Sequence, residues 1–392
     1  MPSKPILNMS ARLLVQGERL FRGSVAADRG DLNGVSSFLV LEYSIPLGNA
    51  VHASPIFEAL HQAVPGAFVA MACSGMPFQV HQHSPFIQQV IKTTNPYQSP
   101  LKAAAEIRKC WRLAGRETSC ILTPVGSERT KVSATAFLSG PGSRVGYTLL
   151  PKLFHRAIRY EPSESLLHNN LALLQALGHR SVHYEPRVFF TPPELESARS
   201  LLRQNNLDDG HPIAVFVTQT SKTQFKGWRD ERFIALANHM KESQRCHIIF
   251  VGTAEEDPAI QTIQKGINFS TVSLAGKTSI PILSALLCMS DIALTLDTGI
   301  MHLGRAAQVP MCIIAPAWSP AIEWLPLDND LFHVHKNGDS AAMTTDYIID
   351  EVSVEEIRAS VDDLLRRHVP SAAARQARIE RNLAAAVNHP GQ

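Results

Sequence analysis

The chain has 392 residues, with 37 Lys and Arg against 35 Asp and Glu and a formal net charge of +2. So balanced a charge gives no electrostatic footprint for nucleic acid, and the length suits about two domains. Hydrophobic residues make up 45% of the chain, enough for packed cores, yet no run approaches the roughly 18 apolar residues of a membrane span. The first 35 residues lack the long apolar segment of a signal peptide. The six cysteines, at 73, 110, 120, 246, 288 and 312, form no CxxC pair. They suit reduced thiols in a cytoplasmic protein better than a disulfide frame or a zinc site.

Residues 1–35 read as an N-terminal extension. Within it, 10–23 can form a short amphipathic helix, able to rest on an anionic membrane surface or to pack on its own domain. The first strand is 38–43 (FLVLEY). A glycine-containing loop, a helix over 51–63 and a strand over 67–72 follow. Further strands are predicted at 87–92, 119–123, 133–138 and 145–147, with helices at 101–114 and 163–177. Together these make a domain over 36–190. Residues 191–210 begin Pro-rich, carry a charged helix at 194–204, and read as a linker.

Alternation then restarts over 211–350, with strands at 213–217, 247–251, 272–274, 292–296 and 311–315. Helices are predicted at 230–240, 280–289 and 300–308. Residues 351–392 read as C-terminal helices, the first opened by a Ser353-x-x-Glu356 capping box and carrying Val354, Ile357, Val361 and Leu364 on its buried stripe. Alternating β and α segments with short connections predict two parallel, doubly wound sheets. Two such domains in tandem would face their carboxyl-edge rims across a cleft.

The stretch 290–316 carries the densest chemistry. A strand runs into Asp297-Thr298-Gly299, which opens a helix bearing His302. A helix start offers free N–H groups to a phosphate, and a glycine allows close approach. A capped helix with a core histidine would use the same residue types. Before the helix at 230, Lys222 and Lys226 could neutralise a diphosphate leaving group or stand solvated in a loop. The GKT at 276–278 lacks the earlier glycine of a phosphate-binding loop. Neither His81-x-His83 nor His333-x-His335 has a third metal ligand nearby. The DxD at 328–330 sits in a polar turn. GxGxxG and GxSxG are absent.

Four segments together resemble glycosyltransferase family 9, the lipopolysaccharide heptosyltransferases: LGNAVHASPIFEALHQAVPGA (47–67), FKGWRDERFIALA (225–237), LAGKTSIPILSALL (274–287) and LDTGIMHLGRAAQVP (296–310). Their order and spacing match over roughly 37–365. The resemblance implies an α/β GT-B fold, two Rossmann-like domains, and metal-independent, inverting transfer of heptose from ADP-heptose to a lipid-linked core acceptor. It needs no cofactor beyond that nucleotide-sugar donor. It implies a cytoplasmic enzyme with peripheral contact to the inner membrane.

Carried over by position, Asp297, Thr298, Gly299 and His302 would face the donor sugar and diphosphate, and Lys226 the phosphates. Glu255 or Glu256 would reach the ribose. Met301 and Ala275 to Lys277 would border the adenine. Ser127 and Arg129 would lie on the acceptor side, and His52 matches a first-helix histidine of some members.

The chain departs from the family at Gly48-Asn49, where the family carries Gly-Asp with the Asp as general base. An amide takes no proton at neutral pH. Glu42 and His52 are the nearest substitutes. A sugar-nucleotide-binding protein with weakened or lost transfer, and a sugar-nucleotide epimerase, are the alternatives.

Overall fold

The computed structural model describes residues 32, 34–113, 119–140, 142–180, 182–220, 225–327, 329–338 and 343–384. The amphipathic helix expected over 10–23, Lys222 and Asp328 lie outside them. The described residues divide into two compact units, one ending at Pro186 and the other starting at Arg187.

The first unit runs β1 (Ser37–Glu42), α1 (Leu47–Ala63), β2 (Phe68–Cys73), α2 (Met76–His81), β3 (Gln89–Lys92), α3 (Pro100–Leu113), β4 (Cys120–Thr123), α4 (Thr130–Ser139), β5 (Ser143–Gly146), β6 (Arg156–Ala157) and α5 (Leu166–Ala176). Its six strands are parallel in the order β3-β2-β1-β4-β5-β6. The apolar run of β1 is explained by burial on both faces. Leu39 and Leu41 enter one core with Ile107 and Trp111, whereas Phe38 and Val40 enter the other with Phe57 and Leu60.

Residues 133–138, expected as a strand, lie in α4 instead. Ser133 and Thr135 are poor helix formers beside the apolar Phe137 and Leu138, which suggested an extended run. In the helix Ser133, Thr135 and Ser139 donate back to the carbonyls of Arg129, Lys131 and Thr135, so the polar groups are satisfied in place.

The second unit runs α6 (Pro192–Gln204), β7 (Ile213–Val217), α7 (Asp230–Gln244), β8 (His247–Phe250), α8 (Asp257–Lys265), β9 (Val272–Ser273), α9 (Ile280–Met289), β10 (Ile292–Leu296), α10 (Gly299–Ala307), β11 (Met311–Ile314), α11 (Ala321–Trp324), β12 (Phe332–His335), α12 (Val354–Arg367) and α13 (Ala372–Asn382). Its strands are parallel in the order β12-β11-β10-β7-β8-β9.

The stretch 191–210, read from sequence as a linker, thus holds a helix of this unit. Leu195, Ala198 and Leu202 are its buried stripe, and it packs on α9. The helices expected at the C-terminal end are also part of the unit. Ser353 caps α12 by accepting from the Glu356 N–H. The Glu356 carboxylate does not reach back to complete a box, because it is engaged by His335 and Asn337. At the unit's two ends, the Phe190 N–H donates to the Asn382 carbonyl and the Ala384 N–H donates to the Phe190 carbonyl.

Among the described residues, no helix is long and apolar enough to cross a membrane.

Candidate active site

In both sheets the chain builds outward on one side, then returns to the other side of its starting strand. The reversal falls between β1 and β4 in the first sheet and between β7 and β10 in the second. Loops leaving the carboxyl ends of such a strand pair diverge, and the crevice they leave is where open α/β sheets bind ligands.

In the second unit, Lys226 and the Asp297-Thr298-Gly299 turn occupy this position. Lys226 Nζ donates to Asp297 Oδ2 at 2.8 Å and to the Asp297 carbonyl at 3.2 Å. It also stands 5.4 Å from the Trp318 ring centroid, and Trp318 Nε1 donates to the Phe225 carbonyl. Asp297 is 4% exposed and Lys226 7%. The aspartate is therefore turned onto the lysine rather than capping the helix. Thr298 sits at the N-cap of α10, but its side chain makes no cap hydrogen bond. Its Oγ1 is buried with no hydrogen-bond partner. The helix start thus keeps its free N–H groups and a spare hydroxyl, beside one buried ammonium.

His302, one turn into α10, is 3% exposed, and its ring lies 5.9 Å from that of Trp324. Burial lowers its pKa to about 4, with Arg305 and Lys226 adding to the effect and Asp297 opposing it. His302 should therefore be a neutral imidazole at pH 7. Its ring resonances in an NMR titration should stay flat between about pH 5.5 and 8, whereas a midpoint near 6.5 would show the ring to be solvated. Met301 is wholly buried in the helix's core face.

The next two strand ends supply the remaining candidates. The Gly276 N–H donates to the Gly252 carbonyl at 2.9 Å, tying the loop after β9 to the loop after β8. Gly276 has φ +70°, and a side-chain carbon there would stand 2.6 Å from Ala254 Cβ. Sequence reasoning left Glu255 and Glu256 equivalent; their surroundings separate them. Glu256 accepts from the Thr253 N–H at 2.7 Å in a capping box, whereas Glu255 is exposed. Lys277 is exposed and donates to the Ser273 carbonyl. At about 5 Å per strand, the end of β8 lies roughly 10 Å from that of β10.

In the first unit, Glu42 ends β1 and is fully buried. Its Oε1 accepts from the Ser44 N–H at 3.1 Å and from the Ser44 hydroxyl, while Oε2 has no partner. Burial pushes this carboxyl up to about 7, against the pull of the two Ser44 bonds and with a further push from Glu128. Asn49, expected in a loop, lies in the first turn of α1. Its Oδ1 is buried without a partner.

Gly126, in the loop after β4, has φ +90°. A side-chain carbon there would stand 2.5 Å from Asn49 Nδ2 and 3.1 Å from Ser44 Cβ. Ser44 and Asn49 are thus neighbours across Gly126. Ser127 is buried and its Oγ accepts from the Tyr43 N–H at 2.9 Å. Arg129 is exposed, with its guanidinium 5.4 Å from the Tyr97 ring. His52 is fully buried on α1, and its carbonyl accepts from Asn170 Nδ2. The structure therefore gathers Glu42, Asn49 and Ser127 at one strand end and leaves His52 in the packing of the helix. Ser44 was not singled out from the sequence; its place two residues beyond a strand-terminal acid was the available signal.

Among the described residues, no group of three or more His, Cys, Asp or Glu side chains is placed to hold a metal ion.

Comparison with known proteins bears on the fold and on one stretch of the sequence. Residues 142–317 match the model of glycosyltransferase family 9 (heptosyltransferase). A glycosyl transferase family 9 protein from Veillonella parvula superposes with a TM-score of 0.74 at 17% identity, over 85% of this chain and 97% of that one. E. coli ADP-heptose LPS heptosyltransferase II gives 0.68 at 16%, over 84% and 99%. E. coli heptosyltransferase WaaC with ADP gives 0.64 at 16%, over 84% and 99%. No curated protein matches. The structural likenesses establish the fold, that of the GT-B heptosyltransferases, and the family match falls on the stretch 142–317, which includes Lys226 and the Asp297-Thr298-Gly299 turn.

Proposed function

We propose that the protein is an inverting, metal-independent glycosyltransferase that moves heptose from ADP-heptose to a lipopolysaccharide-core or other saccharide acceptor. The observation that carries this reading is Lys226 beside the uncapped start of α10, with the unpartnered Thr298 hydroxyl between strand ends. An ammonium and a helix N-terminus stabilise a departing diphosphate without a metal. On this reading Lys226, Thr298 and Gly299 take the phosphates, while Asp297 and neutral His302 face the sugar. Glu255 reaches the ribose, since Glu256 is engaged by Thr253, and Lys277 borders the adenine, whereas the wholly buried Met301 supports α10 from the core. Ser127 and Arg129 serve the acceptor, and Glu42 receives its proton, since His52 is held in the packing of α1. The acceptor oxygen attacks the anomeric carbon opposite the diphosphate, which leaves with the bonding electron pair. The enzyme would work in the cytoplasm, in peripheral contact with the inner membrane that holds its lipid-linked acceptor.

Isothermal titration should find ADP binding to the native protein and a 10- to 100-fold weaker affinity in Lys226→Met, roughly the worth of one charge-assisted hydrogen bond. No binding by native protein, or full affinity in the variant, would refute the donor assignment.

Asn49 supports a second reading, a sugar-nucleotide binder without transfer, because its amide cannot act as a base. Turnover that arises only on Asn49→Asp would favour that reading.

A further inference from the structure

We propose that Ser44 and Glu42 form a proton relay that replaces the carboxylate absent at Asn49; the proposal rests on the transferase reading above. Ser44 and Asn49, the position where the resemblance puts the missing base, flank Gly126 on either side of the space a side-chain carbon there would take. That hydroxyl already donates to Glu42 Oε1. Glu42 Oε2 is buried with no donor, so the carboxyl has capacity for a proton that the resting structure leaves unused. The loop carrying Gly126 is held against the pair, since the Tyr43 N–H donates to Ser127 Oγ and the Gly126 N–H to Glu128 Oε2. Neither bond uses the Ser44 hydroxyl, which is left to Glu42.

The step balances as follows. The acceptor hydroxyl passes its proton to Ser44 Oγ while the Ser44 proton moves to Glu42 Oε1. The acceptor oxygen bonds to the anomeric carbon, and the nucleoside diphosphate leaves with the electron pair of the broken bond. Ser44 touches the acceptor, whereas Glu42 acts through it as the proton store.

The groups that bear on Glu42 are Ser44, Glu128 in the loop after β4, Cys73 at the end of β2 and Tyr97 in the loop after β3. None of these is cationic, and burial lifts the carboxyl to about 7. A carboxylate poised there takes a proton at neutral pH far better than an ordinary one.

The test measures ADP release from ADP-heptose, with a deacylated inner-core oligosaccharide and with water alone as acceptor. ADP affinity is titrated in parallel. Glu42→Gln and Ser44→Ala should each lower kcat by about 100-fold or more, the low end of a general-base effect, with ADP affinity unchanged. Native kcat should fall as pH drops through about 7.

The decisive variant is Glu42→Gln combined with Asn49→Asp. Restoring a carboxylate at 49 should rescue turnover and move the acid limb down towards the ordinary aspartate range, which a merely structural Glu42 would not allow. Native kcat in Glu42→Gln, or a loss that Asn49→Asp leaves unrescued, overturns the relay. Native protein that binds ADP but releases none from ADP-heptose also overturns it, in favour of the binder. Failure to bind ADP at all fells the donor reading on which the relay stands.

Discussion

Replacing Lys226 by methionine should destabilise the carboxyl-terminal unit by roughly 3–5 kcal/mol, the usual cost of leaving one member of a buried ion pair alone. Both side chains are nearly closed to solvent, and the lysine donates to the aspartate twice, through carboxylate and carbonyl. Methionine fills the space of the aliphatic stem but leaves the Asp297 carboxylate without its ammonium, with Ser319 Oγ at 3.5 Å. Trp228, Trp318 and Trp324 all lie in this unit, so chemical denaturation followed by fluorescence reports on it. The double variant Lys226→Met, Asp297→Asn should lose much less than the sum of its parts, because no charge is stranded. A loss in Lys226→Met below about 1 kcal/mol would mean that water reaches the pair, as in surface ion pairs.

Glu42→Gln should leave stability unchanged at pH 4 and raise it by roughly 3 kcal/mol at pH 8, from a carboxyl lifted from 4.5 to about 7 at 1.36 kcal/mol per unit. The native state holds the Glu42 proton more tightly than the unfolded chain. Stability from that proton is complete below 4.5 and is lost as pH rises through about 7, so the native protein weakens across this window. Glutamine keeps the shape and cannot ionise, so it does not weaken. Paired melts at several pH values, read through Trp111 in the first unit, would reveal the widening gap. A gap constant with pH would show that Glu42 is ionised in the fold at little cost.

How legible the molecule was in its sequence depended on which contacts are local. The buried strands of both sheets announce themselves as apolar runs between helical repeats, and 292–296 and 280–289 come out residue for residue. The segment at 133–138 misled because Ser133 and Thr135 compete with helix formation until their hydroxyls bond back to carbonyls a turn earlier, and those bonds become visible only in the fold. Strand order is a matter of tertiary pairing, so the switch points could not be read from spacing.

The site divides in the same way. Asp297, Thr298 and Gly299 lie together in sequence and were found together. Lys226 was picked for its charge, but its partner is 71 positions away, and nothing in either segment declares the pair. The tie between Glu42 and Ser44 spans two residues and was missed, because a serine beyond a strand is usually just a turn residue.

The pairing of Phe190 with Asn382 and Ala384 makes the second unit a loop closed at its own neck. During synthesis the first unit can collapse as soon as its last helix emerges, since domains generally fold amino-terminal first. The second cannot seal until the ribosome has released residues up to 384. The faces of α9 and α10 on which α13 packs then wait, exposed, for that last helix. A nascent chain stalled before that point would present them to chaperones or to its neighbours.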